Sequence, residues 1–158
     1  MSAKSNKPLI FATDLHWSGD YRGIVSSHST NHSVIITTYP DITAKENEWS
    51  AEHLFLSAVT SSLLSTYLEL VKKMNFENAG FECTATGQVE IIDGKLKFTY
   101  IHVYPKALVT NDADMEKAQL ALEKAKHTCP IYNSINAEIV QHPEVVITAR
   151  KNNLVLNK

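Results

Sequence analysis

Arginine is almost missing from this chain: Arg22 and Arg150 are the only two in 158 residues, and the net charge is -2. With no basic cluster anywhere, a nucleic-acid partner is excluded as the main one. Cysteine is equally scarce. Cys83 and Cys129 are too few for a disulfide scaffold and favour a reducing, cytoplasmic setting. Five glycines leave no glycine-rich phosphate loop, and neither a Gly-x-Ser-x-Gly elbow nor a His-Glu-x-x-His pair occurs. The positive residues between Met1 and Lys7 are not followed by an apolar stretch, so no signal peptide or membrane anchor is expected. Repeats, low-complexity tracts and linkers are absent too. The expectation is one cytoplasmic domain over residues 1–158, with residues 1–7 and 151–158 frayed.

What is present is organised around Trp49 to Met74. From Leu54 to Leu68 fifteen residues pass without a charge, which a surface helix with a polar face would not show. Ser50 is a suitable N-cap, Glu52 places a negative charge in the first turn, and Lys72 and Lys73 close the last. Six hydroxyl residues (Ser57, Thr60, Ser61, Ser62, Ser65 and Thr66) make it too polar for an easy membrane span. The run reads as a helix buried on most sides, asking for a large core or a partner subunit.

Around it the pattern predicts strands over 8–16, 23–29 and 34–39, joined as an antiparallel meander, with a polar loop over 41–48. After a stop at Asn78-Ala79-Gly80, residues 81–92 and 95–104 alternate across an Asp93-Gly94 hairpin turn, with Pro105 closing the second strand. Asn111 and Asp112 cap a second helix over 113–127, which ends at His127-Thr128-Cys129-Pro130. A short helical turn over 131–136 and two strands, 137–141 and 145–149, complete the chain. Strands in blocks separated by helices give an α+β class with antiparallel pairing.

Chemistry has few places to sit. Cys129, at a helix end with His127 two residues before it, could be an activated thiol or a small buried apolar residue. Cys83 sits mid-strand with nothing in sequence to activate it and reads as structural. His28 and His32 are four apart but not on a helix, so the seven histidines offer no metal-ligand spacing, and no metal or cofactor is expected. His53 reads as a surface or interface residue. Arg22, at the turn into the second strand, is suited to hold a thiolate or carboxylate, or is an exposed strand-end charge.

Two stretches carry a resemblance. Trp49-Ser-Ala-Glu52-His-Leu-Phe-Leu-Ser-Ala-Val-Thr-Ser-Ser62 resembles the Asn-Pro-Glu-x-Leu-Leu-x-Ala-Ala-x-x-x-Cys helix start of the OsmC/Ohr family. His127-Thr-Cys129-Pro-Ile-Tyr-Asn133-Ser134 resembles its second signature, Cys-x-(hydrophobic)-x-Asn-Ser, and the order of elements agrees along nearly the whole chain. The resemblance implies an intertwined homodimer of thiol-dependent organic hydroperoxide reductases, acting in oxidative stress, with active sites at the interface. It makes Cys129 the resolving cysteine, Glu52 the glutamate and Arg22 the arginine that hold the reactive thiolate. The peroxidatic position falls on Ser62, whose alcohol is not ionised near neutral pH and cannot form a sulfenic acid or a disulfide. The expectation is therefore a divergent member without the two-cysteine cycle, whose pocket binds a small apolar peroxide or thiol ligand. A reductase using Cys129 alone and a purely structural or regulatory dimer are the alternatives. Glu52 and Ser62, ten residues apart, stand roughly 15 Å apart along a straight helix, so a shared site needs a second subunit.

Overall fold

The computed structural model describes residues 8–37 and 49–149. The chain forms two compact units, residues 1–54 and 55–158. In the first, β1 (Asp14–Gly19), β2 (Arg22–Ser26) and β3 (Val34–Thr37) make the expected antiparallel meander. β1 starts later than residue 8 and runs to Gly19, because Gly19 and Asp20 both take positive φ and place the turn at Asp20-Tyr21. Residues 38–48, including Pro40 and the polar loop, lie outside the described residues, as do both termini expected to fray. An isolated parallel bridge pairs Ile36 with Trp49, and the Thr37 amide donates to the Trp49 carbonyl at 2.7 Å.

Helix α1 (Ala51–Met74) begins at Ser50, whose hydroxyl accepts from the His53 amide. It ends where expected, after Lys72 and Lys73, at Asn75 in the left-handed region at φ 51. Asparagine tolerates that conformation because its short polar side chain is least penalised there. Only Val59, Leu63 and Tyr67 are fully buried. Spaced by four, they form one line on one face, so in the single chain the helix is sealed along a stripe and not on most sides. By length and composition α1 would also pass as a membrane span, with a mean hydropathy of 1.5 despite its hydroxyls.

The second unit holds β4 (Gly80–Ile92), β5 (Lys95–Val109), α2 (Asp112–Thr128), a 3-10 turn (Tyr132–Ser134), β6 (Glu138–Gln141) and β7 (Glu144–Ile147). β4 and β5 form the hairpin, with Asp93 (φ 52) and Gly94 (φ 73) giving the left-handed pair that matches strand twist. Gly87 is required by packing: a Cβ there would lie 2.5 Å from the Phe98 ring and 3.1 Å from Leu56 of α1.

Two expectations are corrected in this sheet. First, β6 and β7 pair with β5 in parallel, so the sheet is mixed and α2 serves as the crossover that parallel pairing needs. Second, β5 does not end at Pro105 but runs on to Val109. On the edge away from β4, β6 ends opposite Val103 and β7 begins opposite Lys106. Pro105 thus faces the gap between the two short strands, where no ladder amide is required.

The core joins Val59, Leu63 and Tyr67 of α1 to Ile101, Val103, Ala107 and Val109 of β5 and to Ala118, Ala121, Leu122 and Ala125 of α2. Tyr67 stacks near Phe81, with ring centroids 5.1 Å apart, and its hydroxyl donates to the side-chain Oδ1 of Asn78 at 3.1 Å. Asn111 caps α2 by accepting from the Asp114 amide at 3.0 Å, and its side-chain amide donates to the buried Asp114 carboxylate at 2.9 Å. Asp114 also accepts from the Glu77 amide at 3.4 Å, tying the loop after α1 to the head of α2.

Candidate functional site

The end of α2 is where chemistry-bearing groups converge. Pro130 disfavours a helical conformation in the residue before it, and Cys129 is extended, at φ -66 and ψ 119, while its amide still bonds the Ala125 carbonyl. The side chain is turned into the core and is fully buried. There its thiol donates to the Ser62 hydroxyl oxygen at 3.2 Å, across 67 residues of sequence. Ser62 and Cys129, the positions at which the resemblance would set the cysteine pair, are therefore neighbours.

The signature residues after Cys129 fix that geometry. The Asn133 amide donates to the Cys129 carbonyl at 3.1 Å, and its side chain reaches back to the His127 carbonyl at 3.2 Å. Ser134 donates to the Pro130 carbonyl at 2.8 Å. Asn133 and Ser134 thus close the turn that presents the thiol, which gives the Asn-Ser pair a physical reason.

Tyr132 has no assigned part in the sequence reading. Its phenol is buried with no hydrogen-bond partner among the described residues. Burial, with smaller contributions from Cys83 and Cys129, pushes its ionisation well above the usual phenol range. Cys83 packs against the same core from β4, and burial pushes its thiol up to about 11. Both cysteines are free. A neutral, hydroxyl-lined environment (Ser62, Tyr132) with a poorly ionising second thiol is suited to holding an uncharged polar group. Beside it, Lys126, His127, Tyr132, Asn133, Ala137 and Ile139 line an open groove of about 210 Å³.

The remaining expected residues lie in the first unit. Arg22 opens β2 and is exposed; Glu52 is exposed in the first turn of α1. The Ser50 hydroxyl, then the helix's own amide, hold the Glu52 carboxyl below the usual range. His53 turns to Ser50, its Nδ1 3.0 Å from the hydroxyl, and so belongs to the cap. His28 sits 3.4 Å from Asp14 on the exposed face of the meander. Among the described residues no three metal-ligating side chains cluster.

Fold comparison gives the site its context. The OsmC-like protein of unknown function from Vibrio cholerae superposes with a TM-score of 0.75 at 15% identity, over 86% of this chain and 99% of that one. The OsmC-like protein from Mycoplasma pneumoniae gives 0.75 at 14%, over 89% and 99%. An organic hydroperoxide resistance protein from Elizabethkingia anophelis gives 0.68 at 19%, over 90% and 100%. A comparison of the sequence with curated proteins returned no match. The family model described as OsmC-like protein matches residues 44–142, which span the junction of the two units and include Glu52, Ser62 and Cys129. This chain belongs to the OsmC-like protein family.

Proposed function

We propose that this protein is a small-molecule-binding member of the OsmC-like family in which the two-cysteine peroxide cycle is disarmed at Ser62, leaving Cys129 as a lone thiol. The observation that carries this reading is the 3.2 Å pairing of Cys129 with Ser62. In a two-cysteine cycle a thiolate attacks ROOH, giving a sulfenic acid and ROH. The second thiol then displaces water to form the disulfide. With an alcohol at position 62 the first step has no nucleophile and the second has no sulfenic acid for Cys129 to attack; the Cys129 thiol donates to the Ser62 hydroxyl instead. The groove beside Tyr132 is the entry for a small, mostly apolar ligand with a hydroxyl, hydroperoxide or thiol. Names such as organic hydroperoxide resistance protein, carried by relatives at 19% identity or less, support that ligand class.

The working unit in this reading is a cytoplasmic homodimer of single-domain chains, with Arg22 and Glu52 completing the pocket. Its support is the large apolar surface a single chain leaves open, including Phe11 at 88%, Trp17 at 78% and Ile91 at 71% exposure.

The test mixes anaerobically reduced protein with cumene hydroperoxide and follows peroxide loss and the mass of the Cys129 peptide. The expected result is no turnover and an unmodified Cys129. Ser62→Cys is expected to gain peroxidase activity and a disulfide between position 62 and Cys129, the pair closing to the roughly 2.0 Å of an S–S bond. Turnover by the parent protein with sulfenylated Cys129, resolved by added dithiol, would sink this reading and establish the one-cysteine reductase.

A further inference from the structure

His102 and His142 lie forty residues apart in sequence, and no local spacing links them. The mixed sheet brings them together. His102 is opposite Val140 in the β5–β6 register, and His142 follows two residues later on the same face. Ile101 and Val103 point the other way and are fully buried, so the histidines occupy the open face, away from Cys129 and its core. His102 Nδ1 and His142 Nε2 are 3.2 Å apart. Ring centroids are 5.5 Å apart with planes 20° off parallel, so the rings meet edge to edge. Between them one ring supplies the N–H and the other the lone pair.

We propose that His102 and His142 form a two-imidazole site for a borderline divalent transition-metal ion of the Zn²⁺, Ni²⁺ or Cu²⁺ class. Two nitrogens bound at about 2.0–2.1 Å to one ion stand roughly 3.3 Å apart in tetrahedral geometry and roughly 2.9 Å apart as cis ligands in a square arrangement. The observed 3.2 Å falls between these; the two nitrogens now point at each other, so an ion replaces the shared proton once each ring has turned by roughly 40° to aim its lone pair at it. The site is also prearranged. Tyr104 stacks on the His142 ring at 4.7 Å and 12°, Tyr100 flanks His102 at 6.5 Å, and the His142 amide donates to the Val103 carbonyl at 2.8 Å. These contacts keep the two rings adjacent, which lowers the ordering cost of bringing both onto one ion. Both are accessible, and the remaining coordination positions stay open to water or to a small ligand.

The experiment is a Ni²⁺ titration of the tag-free, full-length protein, followed by calorimetry and by paramagnetic broadening of the histidine ring resonances. One equivalent per chain is expected, with broadening centred on the His102 and His142 rings. His102→Ala and His142→Ala should each weaken binding by about tenfold or more, and His16→Ala should leave it within about twofold. The broadening is read in the parent protein and does not depend on either variant folding. Broadening centred on other histidines, parent-like affinity in both variants, or no binding up to millimolar Ni²⁺ would each overturn the site.

Discussion

Cys83 and Cys129 are the same side chain in two settings, and they separate experimentally. Cys83 is half-buried on β4, and its thiol is pushed from 9.0 to about 11 by burial. A raised value for an acid means the folded state holds the proton more tightly than the unfolded one. The stability linked to Cys83 is therefore complete below pH 9 and is lost as pH rises through about 11, which thermal melts between those values will show. Cys129 is fully buried, so an exclusion-size disulfide reagent should label Cys83 in the native protein and reach Cys129 only on unfolding, as peptide mass would report. The Ser62–Cys129 neighbourhood was legible only because two family signatures mark those positions; 67 residues of intervening chain leave no spacing to read. Tyr132 was not legible at all. Whether a phenol three residues past a cysteine is buried and unpartnered depends on how the 3-10 turn packs against α2, and nothing in Tyr132-Asn133-Ser134 alone records that.

Local punctuation made the helices and the hairpin readable, and those devices carry measurable energy. Asn111 was read as a cap, and it both accepts from the Asp114 amide and donates to its carboxylate. Asn111→Ala should cost about 1 kcal/mol, seen as a lower denaturant midpoint at unchanged slope. The Asp93-Gly94 turn was equally plain, and Gly94→Val should destabilise the hairpin because a β-branched residue resists its positive φ. Gly87→Ala should be costlier still, since its Cβ would lie 2.5 Å from the Phe98 ring; loss of several degrees in Tm is expected. The expected end of β5 at Pro105 illustrates what local signals miss. A proline is incompatible with a fully paired ladder, yet the relevant edge is unpaired at that point because two separate strands meet there. The parallel sense of β6 and β7 was hidden for a related reason: four-residue strands look the same in either direction, and α2 decides how the chain returns.

At the scale of the whole molecule, α1 explains why a second copy is expected. A helix with fifteen uncharged residues seals one stripe within its own chain, leaving apolar positions such as Leu68 exposed at 44%. Light scattering on the purified protein should return twice the 17.6 kDa chain mass, and a clean monomer in dilute solution would contradict the pairing.

The edge of β5 has a bearing on how the molecule opens. Its outer side is covered by two short clasps, β6 and β7, with the His142-Pro143 step between them. Each clasp has its own anchoring amide: His142 donates to Val103 and Thr148 donates to Val109, both at 2.8 Å. A continuous strand would release its amides together, whereas two clasps can let go one at a time. Hydrogen exchange should therefore find the 144–148 amides and the 139–142 amides leaving protection in separate steps, with β4 and β5 still closed. The C-terminal part of the sheet would then breathe while the core around Cys129 stays sealed.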